Sequence, residues 1–124
     1  MRQFVYVLRR KPGMTREQFQ QYWREQHGPL VASVVEVMGI KRYIQVHSRI
    51  DATRYRDATR GLMDEPYDGV AEIWFDRAAA TGSREEQAAA DRRLAEDEAK
   101  FIDFERSSMW TGEEIAFVGK APEM

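Results

Sequence analysis

The chain has 124 residues, of which 43% are apolar and 32% charged, a composition typical of one globular domain and too apolar for general disorder. Its net charge of −2 argues against a dedicated nucleic-acid binder, and the lack of cysteine excludes disulfides, thiolate metal sites and a cysteine nucleophile. No apolar run approaches the ~20 residues of a membrane span, and the start lacks a signal-peptide layout. We therefore expect a cytoplasmic protein, not a membrane protein, with a single domain over residues 1–124.

The first predicted element is a strand over residues 4–8, because FVYVL is rich in β-branched and aromatic residues. Both of its faces are apolar, so both should be covered. A helix follows, with Thr15 as N-cap and Gln18 completing a capping box. One stripe of this helix carries the side chains that we expect to face inward: Phe19, Tyr22, Trp23, Gln26, His27 and Leu30.

Gly28 and Pro29 are expected to interrupt this helix, because the residue before a proline avoids helical backbone. A second short helix is predicted over residues 30–38, ending at Gly39, and then a strand over residues 40–48. Alternation in this strand predicts two faces: Ile40, Arg42, Ile44 and Val46 on one, and Lys41, Tyr43, Gln45 and His47 on the other.

The second half of the chain begins with a charged insertion over residues 51–66, where Asp51 is predicted to cap a short helix. A third strand is predicted over residues 67–76. Ser83, with Glu86 in a second capping box, begins a long helix that is expected to run to about residue 105, and a last strand is predicted over 115–118. The third strand has Ala71, Ile73 and Phe75 on one face, and Val70, Glu72 and Trp74 on the other.

The order β, α, β, β, α, β predicts an α+β fold, the ferredoxin-like four-stranded antiparallel sheet with helices on one face. The other face would then expose aromatic and aliphatic side chains: Tyr6 or Val7, Tyr43, Trp74, and Ile115 or Phe117. Such a large exposed apolar sheet is unusual on a monomer. We therefore expect a homodimer, with two sheets packed face to face in a dimeric α/β barrel.

Three stretches of sequence resemble one known family. PGMTREQFQQYWREQHGPLV resembles the N-terminal signature of EthD-domain proteins, a branch of the dimeric α/β-barrel superfamily. YDGVAEIWFD is similar to their third strand, and DEAKFIDFERSSMWTGEEIAF to their final helix and strand. The resemblance implies the ferredoxin-like fold and a homodimer. It also implies an association with ether degradation alongside a cytochrome P450, or with dehydration or decarboxylation of aromatic polyketides.

His27 is the strongest candidate for chemistry. It shares the inward stripe with Trp23 and Leu30 and lies next to Gly28 and Pro29. The resemblance places the acid–base group of the family at His27, and an imidazole is suited to moving protons near neutral pH. The alternative is a cap, in which the ring bonds free carbonyls at the end of the helix.

A pocket in the barrel interior is the second hypothesis, and it would suit a flat apolar ligand with a few polar contacts. Its expected lining is Tyr43, Gln45, His47, Glu72 and Trp74, with Tyr6, Tyr22 and Trp23 as further binding residues. For His47 the alternative is a solvated position at the end of the strand.

The long helix carries Asp97 and Glu98 where its buried stripe should continue between Leu94 and Phe101. At least one carboxylate should therefore be partly buried, as an acid paired with His27 or in a salt bridge to an arginine such as Arg42.

The candidate function that follows is an enzyme that acts without a bound cofactor on a small hydrophobic metabolite, aromatic or carbonyl-bearing. With two histidines and no recognisable ligand spacing, we expect no metal site. Dehydration, decarboxylation, cyclisation and isomerisation all suit an acid–base histidine. The alternatives are a cofactor-independent monooxygenase, and a non-catalytic metabolite-binding accessory of an oxidative degradation pathway.

Overall fold

The computed structural model of the chain describes residues 2–49 and 66–119. It contains four antiparallel strands, β1 (Arg2–Leu8), β2 (Ile40–His47), β3 (Gly69–Phe75) and β4 (Ser108–Gly112), in the sheet order β2-β3-β1-β4. With helices between them in the order βαββαβ, this confirms the ferredoxin-like α+β fold. Apart from Pro66, the predicted insertion over residues 51–66 lies outside the described residues.

Both predicted capping boxes are present and fix where the two main helices begin. Helix α1 (Arg16–Tyr22) follows Thr15, whose hydroxyl accepts from the Gln18 amide at 3.1 Å while the Gln18 side chain accepts from the Thr15 amide at 2.9 Å. Helix α4 (Arg84–Glu98) starts in the same way from Ser83 and Glu86. Each box satisfies two amide groups that the first turn of a helix leaves without partners.

The predicted interruption at Gly28 and Pro29 is wrong, because the helix continues through them as a π-helical turn over Trp23–His27. The amide of Gly28 donates to the carbonyl of Trp23, five residues back, and Gly28 keeps helical angles of φ −55° and ψ −50°. A proline inside an α-helix clashes with the carbonyl four residues before it, and we attribute the wider turn here to relief of that clash. Helix α2 (Gly28–Ser33) follows directly.

The second predicted short helix is present in two parts. Helix α2 ends at Val34, where φ is −116° and ψ is 9°, and a single turn, α3 (Val35–Met38), follows it. Gly39 ends that turn with a positive φ of 74°, as its position predicts, and a Cβ there would lie 2.3 Å from the Asp76 carbonyl oxygen.

The predicted faces of β2 are wrong in one respect, and the error decides where the site lies. A β-bulge between Ile40 and Arg42 lets Ile40 pack with the helices, among Val31, Val34, Ala90 and Leu94. Beyond the bulge the alternation is shifted, so that Tyr43 also faces the helices while Arg42 lies on the open face, over Trp74. Tyr43, Gln45 and His47 therefore line the helix-covered face and not the interior of a dimeric barrel.

The last strand also differs from its prediction. Helix α4 ends at Glu98 and not near residue 105, because the chain after it pairs with the loop that follows β1: Phe101 accepts from the Lys11 amide, and Asp103 donates to the Arg9 carbonyl. Strand β4 then pairs antiparallel with β1 through residues 108–112. Residues 115–118 are not a strand, and Ile115, Phe117 and Val118 are strongly exposed.

The core lies between the helices and one face of the sheet. Trp23, Phe19, Phe101 and Leu8 are among its least exposed side chains. The Trp23 ring rests on Gly69, where a Cβ would lie 2.3 Å from the indole, so β3 carries a glycine at this point. Directly before β3, the buried carboxylate of Asp68 accepts from the backbone amide and side chain of Arg10 and from the side chain of Arg16. These bonds tie the loop after β1 and the start of α1 to the start of β3.

Across residues 2–49 and 66–119, we find no helix with both the length and the apolar character that a bilayer span requires.

Candidate active site

A small, partly open chamber of about 30 Å³ lies in the core between the sheet and the helices. This volume is large enough for a water molecule or for the hydroxyl group of a ligand that enters from the open side. Apolar side chains form most of the wall, and four titratable side chains line it: Tyr6 from β1, Tyr43 from β2, His27 from the π-helical turn and Glu98 from the end of α4.

His27 is 3% exposed and is held between two carboxylates. Its Nδ1 lies 2.8 Å from Oδ2 of Asp97, and its Nε2 lies 3.5 Å from Oε2 of Glu98. The hydroxyl of Tyr22 donates to the other Asp97 oxygen at 2.6 Å. With Nδ1–H donating to Asp97, the imidazole is fixed in orientation and Nε2 is the atom that can exchange a proton with the chamber.

The two carboxylates determine the charge of this imidazole. Burial alone lowers the pKa of His27, but hydrogen bonds to Glu98 and Asp97, together with their negative charges, outweigh burial and raise the pKa above its usual value of 6.5. Burial likewise tends to raise the pKa of Asp97, yet hydrogen bonds from Tyr22 and His27 and the charges of His27 and Lys100 lower it. The two carboxylates therefore favour the protonated form of His27, and His27 and Lys100 favour the ionised form of Asp97.

Tyr43 provides a second hydrogen-bond donor toward the chamber. Burial raises the pKa of Tyr43 to about 12, so the phenol keeps its proton. Its oxygen accepts from Nε2 of Gln45 at 2.8 Å, and the same Gln45 amide donates to the carbonyl of Trp23 at 2.9 Å. Because the Tyr43 oxygen is already an acceptor, its O–H group can donate to a ligand.

His47 lies behind the chamber, where its ring stacks on Trp23 with centroids 4.6 Å apart. Its Nε2–H donates to Oε1 of Gln45 at 2.8 Å, and its buried Nδ1 has no partner among the described residues. Burial and the positive charges of Arg24 and Arg49 lower the pKa of His47. These effects favour the neutral form of His47, in contrast to His27.

The structure divides the residues predicted for the site into three groups. Those that line the chamber are Tyr6, Trp23, His27, Tyr43 and Glu98. Those one contact behind it are Tyr22, Gln45, His47 and Asp97. Glu72 and Trp74 are on the opposite face of the sheet, where Gln3 donates to Glu72 and Arg42 covers Trp74, so the predicted pocket that combined them with Tyr43, Gln45 and His47 does not exist.

The sequence left open whether the carboxylates of α4 pair with His27 or with Arg42. The structure brings both Asp97 and Glu98 to His27, while the Arg42 guanidinium lies on the other face of the sheet. The link from Tyr22 to Asp97 was not predicted. The sequence did contain a signal for this contact, since Tyr22 and His27 lie on the same predicted inward stripe.

For a metal ion, no group of three or more histidine and carboxylate side chains in the described parts of the chain has a suitable arrangement.

Comparison with known proteins identifies the family of the chain. The sequence model of the EthD domain matches residues 11–105, which include His27, Asp97 and Glu98. The chain belongs to the EthD domain family. A relative in Metarhizium robertsii, named conidial pigment biosynthesis dehydratase EthD, is 30% identical over 109 residues, which are 83% of this chain and 75% of that protein.

Two solved structures share the fold at low sequence identity. An EthD family protein from Bacillus halodurans aligns with a TM-score of 0.57 at 14% identity, over 93% of this chain and all of its own. HapK from Hahella chejuensis aligns with a TM-score of 0.56 at 12% identity, over 99% of this chain and all of its own. These two similarities support the fold and not a shared reaction.

The pairing of His27 with Asp97 predicts a separation between the two histidines of the chain in an NMR pH titration. His27 should titrate above 6.5 and His47 below it, because carboxylates flank only the first. Asp97→Asn should lower the pKa of His27, because it removes the carboxylate that accepts from Nδ1. Glu96→Gln, which removes an exposed charge from the same helix, serves as the matched control and should leave the pKa of His27 unchanged.

The raised pKa also sets the sign of a pH effect on stability. The charged pair adds stability that is fully present below the unfolded pKa of His27, near 6.5, and is lost as pH rises through the folded pKa. The difference in free energy of unfolding between wild type and Asp97→Asn should therefore shrink above that pKa. A His27 that titrates at or below 6.5 in the wild type contradicts the assignment.

Proposed function

We propose that the protein is a lyase that removes water from a β-hydroxy carbonyl compound, with His27 as acid and Glu98 as base. The observation that carries the proposal is the imidazole of His27, held between the carboxylates of Asp97 and Glu98 at the wall of a small chamber. The 30% identity to a protein named as a dehydratase supports the same class of reaction.

The elimination needs two proton transfers, and the chamber has one group for each. The Glu98 carboxylate takes the proton from the carbon next to the carbonyl, and the electrons of that C–H bond form the new double bond. The Nε2–H of His27 protonates the hydroxyl on the next carbon, so that the C–O bond breaks and the oxygen leaves as water. The substrate thus becomes an unsaturated carbonyl compound and one water molecule, and no oxidant, reductant or bound cofactor takes part.

The carbonyl group of the substrate must also be stabilised while negative charge develops on it. Tyr43 is the donor in the chamber best placed for this, because its oxygen is engaged by Gln45 and its proton is free to donate. A neutral, pre-oriented donor in an apolar wall stabilises a developing oxyanion more strongly than water does.

The contact between Glu98 and His27 closes the catalytic cycle. After elimination Glu98 is protonated and Nε2 of His27 is not, and the two atoms lie 3.5 Å apart. One proton moving between them restores the starting state. Asp97 does not change protonation in these steps, and its role is to orient the imidazole and keep its pKa high.

We also propose that a second copy of the chain covers the open face of the sheet. Val5, Val7, Ile44 and Val70 are half-buried there, while Val46 and Trp110 remain 50% and 47% exposed. The register of the strands places all six side chains on this face. A contiguous apolar surface of this kind is typical of an interface between subunits.

Substitution of His27 tests the elimination directly. In His27→Gln, the rate of conversion of 3-hydroxytetralone to naphthol, followed by naphthol fluorescence, should fall by a factor of about 10² to 10⁴, the usual contribution of a positioned acid. Wild-type turnover should decline as pH rises through the raised pKa of His27, because only the imidazolium can protonate the leaving hydroxyl. His47→Gln, the matched control, should retain turnover. Full activity in His27→Gln contradicts the proposed role.

A charge on the open face should separate the subunits. Val46→Glu places a carboxylate within the proposed interface, so sedimentation equilibrium at micromolar concentration should give a dimer for wild type and a monomer for the variant. Ala95→Glu, on the exposed side of α4, is the control and should remain dimeric. A monomeric wild type overturns the dimer.

A further inference from the structure

Gln45 connects the sheet to the turn that carries His27. From β2, its Nε2 group donates to the carbonyl of Trp23 at 2.9 Å, in the π-helical turn, and to the phenol oxygen of Tyr43 at 2.8 Å. The Trp23 carbonyl also accepts from the amide of Gly28, and a Cβ on Gly28 would lie 3.2 Å from Nε2 of Gln45. The side-chain amide of Gln45 is therefore packed directly against the turn.

The orientation of the Gln45 amide follows from the groups that it contacts. A backbone carbonyl oxygen can only accept, so the Gln45 atom that faces the Trp23 carbonyl must be the nitrogen. At the other end of the amide, Oε1 accepts from Nε2 of His47 at 2.8 Å. Because both ends are engaged, the nitrogen and not the oxygen faces Tyr43. The control His47→Gln keeps an N–H group that can donate to the same Oε1 atom.

These contacts determine the direction of the Tyr43 hydroxyl. An amide nitrogen donates and does not accept, so the Tyr43 oxygen is the acceptor and its proton cannot point at Gln45. Burial raises the pKa of Tyr43 to about 12 against the opposing effect of hydrogen bonds from the side chains of Gln45 and Trp23. Two donors are thus directed at the oxygen of a phenol that stays protonated, and its O–H group must point away from both.

We propose that Gln45 is a positioning residue, which holds the Tyr43 hydroxyl as a donor toward the chamber, where the substrate carbonyl binds. Tyr43 lines the chamber, whereas Gln45 lies one contact behind it. Hydrogen bonds accepted by a hydroxyl oxygen also polarise its O–H bond and strengthen the bond that it donates. This inference rests on the elimination proposed above, and it adds the residue that keeps Tyr43 a donor.

Replacement of Gln45 by an apolar side chain of similar length tests this role. Gln45→Met removes both N–H donors, while the Trp23 carbonyl keeps its bond from Gly28. The kcat for 3-hydroxytetralone should fall about 10-fold at unchanged KM, less than the fall of about 10²–10³ expected for loss of the donor itself in Tyr43→Phe. The double variant should be no slower than Tyr43→Phe, because Gln45 acts only through Tyr43. Additive losses would mean a merely structural role and overturn the proposal.

Two further variants complete the comparison. Gln26→Met makes the same change at an exposed position of the π-helical turn and should match wild type. Gln45→Glu keeps the acceptor for His47 but presents a carboxylate to the phenol, so the Tyr43 proton turns away from the chamber and kcat should fall as in Gln45→Met. Wild-type kcat in Gln45→Glu contradicts the proposal.

A spectroscopic measurement makes the result independent of turnover. In protein labelled with ¹³C at tyrosine Cζ, Tyr43→Phe identifies the NMR signal of Tyr43. Gln45→Met should shift this signal, because Cζ responds to hydrogen bonds at the phenol oxygen, and should leave in place the signal of Tyr22, which donates to Asp97. A Tyr43 signal that does not move overturns the positioning role.

Failure of this inference differs from failure of the proposed elimination. If Tyr43→Phe is slow and Gln45→Met is as fast as wild type, the positioning role of Gln45 is wrong and the elimination stands. If Tyr43→Phe retains full turnover while Gln45→Met shifts the Tyr43 signal, the carbonyl contact of the elimination is wrong and the orientation of the hydroxyl by Gln45 stands.

Discussion

The arrangement of the site depends on the contact of a buried imidazole with a carboxylate between two helical segments. His27 and Asp97 approach to 2.8 Å where both side chains are almost without solvent. Removing one partner of a buried ion pair leaves the other uncompensated, which costs about 3–5 kcal/mol, a large part of the roughly 5–15 kcal/mol by which a domain is stable. The pair therefore constrains the end of α4 to lie against the π-helical turn, and the position of Glu98 follows from it.

The same constraint explains why the active-site candidate lies on the helix-covered face of the sheet. The imidazole comes from a helix, so only strand residues that face the helices can meet it. Because of the bulge in β2, both Tyr43 and Ile40 face the helices, and Ile40 packs in the core. Trp74 and the valines lie on the open face, so this apolar surface is separate from the site of the proposed reaction.

Much of the fold could be predicted from the sequence because contacts between residues close in the chain determine it. Thr15 with Gln18, and Ser83 with Glu86, mark helix starts through contacts within one turn. The alternation in β3 assigned Trp74 to the open face correctly, since that strand is regular. His27 and the two carboxylates of α4 could be singled out because polar side chains interrupt apolar stripes.

The errors arose where tertiary contacts override local preference. A bulge moves one residue out of register, and the apolar Ile40 gives no sign of it because it is buried in either reading. Helix α4 stops at Glu98 because the following backbone pairs with the loop after β1, a contact far away in sequence. The turn at Gly28 and Pro29 bends into a π-helix, which satisfies proline geometry without ending the helix.

The central claim is that Glu98 removes a proton from the carbon beside a carbonyl while His27 acts on the leaving group. Hydrogen–deuterium exchange on 1-tetralone, which has the carbonyl but no hydroxyl to lose, isolates the first of these steps. Proton NMR in deuterated buffer should show that the wild-type protein accelerates exchange at the carbon beside the carbonyl and that Glu98→Gln does not. Exchange no faster than in buffer, or equally fast with Glu98→Gln, would contradict the assignment of Glu98 as the base.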